Sequence, residues 1–430
     1  MDTPLASNKT FVGAAADVFN AKGDEEMWQM KSRLVARLDP FVQEGSRFSE
    51  IGVDAAQKVI ESSGHLLDEY PNLVPPGDRP RDLMVVHEGL GVSMTPDRLV
   101  ASAFTAALEA IYYLGLPQTE DEFRDRVLKN LDELKGASVG KPVEVVEVVG
   151  LTGPNLPGGR VLNTPWGLLR GIRGPAIDYG PGPEGFMRAI RLVLCVPRQI
   201  TIPIVSPPVE QIPLGPWKTT EEGQVLGLLA LAFLLADSND QRAVPIPVWS
   251  TTVHPFAAGG SYTVRYPFVR PTWPPTLDEE GCVRVEGWCQ RLEGRRNISP
   301  GASIAGSRLI SAVSQRPSPI DSLVDAVVAW ESLVGSKGGE ITFRVTAALA
   351  KLIEADPMKR VAIVKQLKGI YSLRSKAVHG EAMDMNALKD STDAAIGFGI
   401  AALQRLYEKN PEWFALDSTR RSDRLLLQEP

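Results

Sequence analysis

The chain has 430 residues, 43% hydrophobic and 23% charged, which excludes a disordered protein and allows two or three globular domains of roughly 100–200 residues. A formal net charge of −6 excludes a globally basic surface, so nucleic acid would have to meet a local patch. Three scattered cysteines, Cys195, Cys282 and Cys289, exclude a disulfide framework and point to a reducing cytoplasm.

The opening Met1-Asp2-Thr3-Pro4-Leu5 has no basic or apolar leader region. Residues 1–140 read as mainly helical. Asp97 to Leu114 carries an apolar stripe through Leu99, Phe104, Leu108 and Ile111, and Thr119-Glu120-Asp121-Glu122 forms a capping box before the amphipathic Phe123 to Leu134. Residues 141–275 read as a small, proline-rich α/β or β region. Its expected strands are Val143 to Val149, Val161-Leu162, Ile190 to Val196, Ile200 to Val205, Val244 to Trp249 and Tyr262 to Val269, with the prolines at edges and bulges. The longest apolar run, Val225 to Ala236, falls short of the roughly 20 residues of a membrane span and reads as a buried helix on that sheet. The expectation is a cytoplasmic protein with no membrane partner.

Residues 276–410 read as a bundle of helices: Thr276 to Leu292, Gly301 to Val313, Ile320 to Val334, Glu340 to Ala355, Pro357 to Val378 and Asn386 to Tyr407. Asp321 and Pro357 suit first turns, and Gly335 suits a stop. Ile320 to Val334 carries more apolar surface than one neighbour covers. It is therefore the expected self-association face, with Val327 at its middle. Residues 411–430, with Arg420-Arg421-Ser422-Asp423-Arg424, read as a mobile polar tail. The fold class expected is α+β, a helical and irregular β region followed by an all-α C-terminal bundle.

Chemistry concentrates in Tyr371-Ser372-Leu373-Arg374-Ser375-Lys376-Ala377-Val378-His379-Gly380. Histidine can take a proton from a ribose 2′-OH, and a guanidinium can hold a phosphate as charge builds on it. On a regular helix Arg374 and His379 stand about 140° apart. Gly380 suits the residue just past a helix end, which puts His379 in the last turn, and a second copy across a twofold axis would supply a missing partner. Lys359, Arg360, Lys365, Lys368 and Lys376 make this helix locally basic, as a phosphate-binding strip or as a solvated face favoured by the helix dipole. The plainer account of the motif itself is a capping histidine and an Arg374–Glu331 structural pair.

The remaining candidates carry less. His254 before Pro255 reads as a surface loop residue, and His65 and His87 have no acidic or cysteine partner at ligand spacing. Cys282 and Cys289 lie seven apart with nothing nearby to complete a zinc set, so no metal and no cofactor are expected. Gly335-Ser336-Lys337-Gly338-Gly339 lacks the spacing of a P-loop and reads as a helix connection. Trp249, Tyr262, Tyr266, Phe268 and Trp273 are stacking candidates for bases or, more simply, sheet packing.

Three segments in series carry a resemblance. Pro319 to Leu333, with Ala329-Trp330-Glu331-Ser332, resembles the second helix of HEPN domains of the Apea-like branch. Glu340-Ile341-Thr342-Phe343-Arg344-Val345 resembles the opening of the next helix, and Leu373 to Gly380 resembles the Arg-x4-His signature. The likeness covers about Thr276 to Tyr407, and Leu162-Asn163-Thr164-Pro165-Trp166-Gly167 is similar to a turn upstream of some such domains. The resemblance implies a HEPN helical bundle that dimerises and sets two Arg-x4-His motifs across one cleft. It further implies metal-independent RNA cleavage, in many members as part of prokaryotic defence or toxin systems. It makes Arg374 and His379 the catalytic pair, with Glu331 orienting Arg374 and Ser375 beside them; Lys376 and Lys368 of the same basic helix read as supporting or RNA-binding residues. Ser375 stands where many active members have Asn, Asp or His. The expected protein is a HEPN-type endoribonuclease leaving a 2′,3′-cyclic phosphate, with RNA and a second copy as partners and residues 1–275 as a sensor or targeting region. The alternatives are an inactive dimerising or RNA-binding scaffold, and a HEPN module modified by a partner nucleotidyltransferase or kinase, with Tyr371 the first acceptor to consider.

Overall fold

The computed structural model describes residues 83–87, 90–94, most of 102–117, 120–138, 141–171, 192–201, 204–205, 220–236, 242–255, 263–264, 276–294, 300–335, 340–408 and 412–427. The chain is α+β, with a small, largely antiparallel sheet and a helical C-terminal region. It divides into two compact units, each gathered from separated stretches.

The first unit takes residues 1–152, 158–222 and 247–265. β1 (Leu83–His87) and β2 (Leu90–Met94) form an antiparallel pair inside the stretch read as mainly helical. The reason is local: Leu83-Met84-Val85-Val86 is an apolar run, and only Glu88-Gly89, a turn-forming sequence, separates the partners His87 and Leu90. Positions described within 102–114 are helical, and α1 (Glu120–Ser138) covers the expected amphipathic stretch; its capping Thr119 lies outside the described residues. α1 buries Val127, Leu134 and Ala137, and Lys129 bonds Glu144 at 2.8 Å.

The larger sheet contains β3 (Val143–Thr152), β4 (Val161–Thr164), β5 (Gly167–Gly171), β6 (Leu192–Ile200), β8 (Ile246–Val253) and β9 (Thr263–Val264), in the order β4-β5-β6-β3-β8-β9. The short β7 (Ile204–Val205) pairs with β1 instead. β3 is central, which is why its valines are buried on both faces rather than alternately. Pro197 is tolerated in β6 because β5 pairs only Leu192 to Cys195, leaving Pro197 bonded territory on the β3 side alone among the described strands. The sequence Thr164-Pro165-Trp166-Gly167 closes the β4–β5 hairpin. Gly167 sits at φ +154°, and a Cβ there would lie 2.1 Å from the Cys195 carbonyl oxygen. Cys195 is fully buried and donates to the Tyr113 carbonyl at 3.2 Å, and burial pushes its thiol up to about 12. His254 is buried, not a surface loop residue, because β8 runs on to Val253 directly before it.

The second unit takes residues 153–157, 223–246 and 266–430. It therefore reaches beyond the expected bundle of 276–410 at both ends. α2 (Thr220–Ala236), the helix expected to lie on the sheet, has its contacts with C-terminal helices. These are α3 (Glu279–Glu293), α4 (Pro300–Ser314), α5 (Pro319–Val334), α6 (Ile341–Ile353), α7 (Pro357–Val378) and α8 (Met385–Glu408), followed by α9 (Glu412–Ala415) and α10 (Ser418–Leu427). α2 has no basic residue in its last turn to meet its terminal carbonyls. Arg284 of α3 donates to Ala236 at 3.0 Å and Gln404 of α8 to Leu235 at 2.8 Å, supplying from other helices what α2 lacks. Leu231 of α2 lies against Gly306 of α4. Among the described residues no helix is long and apolar enough to cross a membrane.

α5 is the hub. Ser318 caps it, accepting from the Ile320 amide at 3.2 Å, and Pro319 opens it. Trp330, fully buried, donates to the Ala395 carbonyl at 3.1 Å and meets Phe398 edge-on. The buried Asp325 accepts from Arg308 at 2.9 Å and also from Arg316. Val327 is 0% exposed. The apolar surface of α5 is thus consumed inside one chain, by α4, α6, α7, α8 and α10, and is not the self-association face expected of it.

The polar run expected to be a mobile tail is α10, a packed helix. Arg421 is 0% exposed and donates to the carbonyls of Leu333 and Leu416 at 2.6 Å each and of Trp413 at 3.1 Å. Burial pulls its pKa below the ordinary guanidinium value, opposed by Asp417. Asp423 pairs with Arg344 of α6. The tail reading failed because Arg421 serves as an inward hydrogen-bond donor, a role that composition does not reveal. Arg421→Ala is expected to cost about 3 kcal/mol, since three carbonyls lose a charged donor at once. Denaturant unfolding of the variant checks this, and an unchanged midpoint would contradict it.

Candidate functional site

α7 begins where the sequence says it should. Asp356 caps it, accepting from the Met358 amide at 2.9 Å, and Pro357 takes the first position. Arg360 folds back onto the carbonyls of Glu354 and Ala355 at 2.7 Å each, so this member of the basic strip is committed to the end of α6. α7 buries only Leu367, Ile370 and Ala377 over 22 residues.

The C-terminus of α7 is a Schellman motif. Glu381 N–H donates to Lys376 at 3.1 Å, Gly380 N–H donates to Ala377 at 3.2 Å, and Gly380 takes φ +72°. No atom would meet a Cβ at Gly380 within 4 Å, so the glycine serves the backbone angle alone. His379 is the cap residue at φ −85°, ψ 2°, with its amide on the Ser375 carbonyl at 3.2 Å. Its side chain is exposed, as are Ser375 and Lys376. Lys368 is exposed and holds its ammonium 5.5 Å from the Phe343 ring centroid.

Arg374 faces the other way. It shares the inner side of α7 with Leu367 and Ile370 and is half-buried. Its Nε is buried without a hydrogen-bond partner. Across the helix interface Glu331 of α5 accepts a hydrogen bond from the Tyr371 hydroxyl, one turn before Arg374. Burial, followed by this bond and the Glu331 charge, raises the Tyr371 pKa, while the nearby Arg374 charge opposes the rise. The expected Glu331–Arg374 pair is therefore replaced by Glu331–Tyr371, and among the described residues Arg374 has no ion pair. The site groups Glu331, Tyr371 and Arg374, while no hydrogen bond among the described residues links Arg374 to His379, in keeping with their wide angular separation. Tyr371 as a partner of Glu331 was missed. Its signal was its position three residues before Arg374, on the helix face that meets α5.

The other candidates fall elsewhere. Cys282 and Cys289 are both fully buried on the inner face of α3, and burial pushes the Cys289 thiol up to about 12. His65, Tyr262, Tyr266, Phe268 and Trp273 lie outside the described residues, as do residues 336–339 of the glycine-rich connection. His87 and Trp249 are placed by their strands alone. Compared with protein-family models, with curated proteins and with solved structures, the chain matches none.

Proposed function

We propose that the helices of the second unit form a HEPN-type, metal-independent endoribonuclease, coupled to a sensor or targeting region in the rest of the chain and working in a defence or toxin-like system. The observation that carries this reading is Arg374. The Arg374 guanidinium is half-buried, the carboxylate on the facing helix is bonded to another group, and although its Nε is shut away from solvent, its outer nitrogens are left for an external anion. In the reaction, His379 takes the 2′-OH proton, O2′ bonds to phosphorus, and the bond from phosphorus to O5′ breaks. O5′ takes a proton from water or from the imidazolium so formed, leaving a 2′,3′-cyclic phosphate, while Arg374 holds the phosphoryl oxygens as charge builds.

The angular separation of Arg374 and His379 favours a paired site in which two copies set their His379 side chains across one cleft. The open surface for such a pairing is the outer face of α7, not the buried α5; this face carries His379, while Arg374 stands on the opposite side of the helix. Met358 is 81% and Val361 68% exposed there, and Lys365, Gly369, Ser372, Lys376 and His379 continue the same face toward the helix end. The same separation is what favours the second reading, a dimerising RNA-binding scaffold without catalysis. The two are told apart by incubating purified protein with total RNA in EDTA, beside His379→Ala. Base and charge come from side chains, so cleavage is expected to survive chelation, to end in cyclic phosphate and to vanish in the variant. Cleavage that needs added magnesium, or persists without His379, counts against the enzyme reading. RNA binding without cleavage selects the scaffold.

A further inference from the structure

Glu331 is the only carboxylate that the described hydrogen bonds bring to the Arg374 side of α7, and it is bonded to Tyr371. Tyr371 and Arg374 are three residues apart on one helix, neighbours with about 5–6 Å between their Cβ atoms. Both groups are therefore placed to draw on the same carboxylate, which bonds Tyr371 through Oε1. A carboxylate beside a guanidinium normally pairs with it, and that pair would occupy the donors a phosphate requires.

We propose that Tyr371 is a positioning residue that holds the Glu331 carboxylate and so keeps Arg374 from being neutralised, leaving the guanidinium for an RNA phosphodiester. Three observations support this. The Tyr371 hydroxyl donates to Glu331 Oε1, which fixes the carboxylate. The Arg374 charge acts on that hydroxyl, which places the two groups close together. Arg374 Nε is buried and meets no acceptor, so Glu331 has not closed on it, and a phosphate would be met by the outer nitrogens of the guanidinium. Glu331 is itself held by its backbone: its carbonyl accepts from Gly335 at 2.7 Å, and a Cβ at Gly335 would lie 2.2 Å from that oxygen. The α5 backbone is thus hydrogen-bonded through Glu331, and the described bond that holds its carboxylate comes from Tyr371 on α7. The inference depends on the ribonuclease reading and names a residue that reading does not use.

The test uses the full chain and a 2′-O-methyl RNA oligonucleotide, which offers the phosphates but no attacking hydroxyl. Tyr371→Phe keeps the ring and its packing but releases Glu331, which then pairs with Arg374. Binding is expected to weaken about tenfold, the scale of one charged hydrogen bond. Tyr371→Phe combined with Glu331→Gln is expected to bind within about twofold of the parent, because a neutral amide cannot cancel the guanidinium. Loss in Tyr371→Phe without rescue by Glu331→Gln would mean that Tyr371 acts through packing, and the proposal fails. Unchanged binding in Tyr371→Phe, where Arg374→Ala loses binding, also overturns it while leaving the ribonuclease reading intact. If Arg374→Ala binds like the parent and neither cleaves unmodified RNA, the ribonuclease reading fails and this inference falls with it.

Discussion

Arg374→Ala and His379→Ala are each expected to lower RNA cleavage by about 10²–10⁴, and the double variant is expected to lose little more. In the proposed reaction the two groups serve one transition state. Once either is gone, the other has nothing left to complete, so their effects do not add. Neither change should disturb folding: His379 is exposed at a helix end, and Arg374 makes no hydrogen bond among the described residues. Arg374→Lys is expected to resemble the alanine variant more than the parent, since an ammonium cannot present a planar fork to a phosphate. Circular dichroism beside a cleavage assay checks both halves. A single variant with parental activity would show that the site has been assigned to the wrong residues.

Val327→Asp is expected to unfold the second unit, not to separate a dimer. A carboxylate at a position with no exposure costs several kcal/mol, a large part of the roughly 5–15 kcal/mol that holds a domain together. Val361→Asp is the contrasting case. On the open face of α7 it is expected to shift stability by no more than about 0.5 kcal/mol. If two copies meet along that face, it should yield monomers and abolish cleavage together. Thermal melts and sedimentation of the two variants read this directly. A folded Val327→Asp protein contradicts the core placement, and an active Val361→Asp monomer ends the paired-site argument.

Local chemistry explains what could be read in advance. α7 runs from Pro357 to Val378 as expected, because Asp356, Pro357 and Gly380 are boundary signals that need no tertiary context. The strand pattern around Val143 was legible for the same reason, since β-branched residues ending in turn residues have few other uses. Illegible were the choices that depend on a neighbour. Val225 to Ala236 is apolar on every side, so its sequence marks no face to distinguish a sheet from a helical bundle. Val327 lies on a helix whose apolar excess suggested a second copy, but five other helices of the same chain absorb it. In Arg420-Arg421-Ser422-Asp423-Arg424, charge implied solvent. At Arg421 charge instead met backbone carbonyls, and no pattern in the sequence announces that exchange. The Glu331–Tyr371 bond is of this kind as well: proximity on the helix made it possible, and only the facing of α5 and α7 selects it.

The chain enters the second unit at residues 153–157, returns to the first, comes back for 223–246, leaves again for 247–265 and then stays. A cassette beginning at residue 276 would not contain the whole of the second unit. Such a piece would arrive without α2, and Arg284, Gln404 and Gly306 would face solvent where they now meet Ala236, Leu235 and Leu231. A piece that keeps the second unit whole has to begin no later than residue 153 and carry the intervening stretches of the first unit with it.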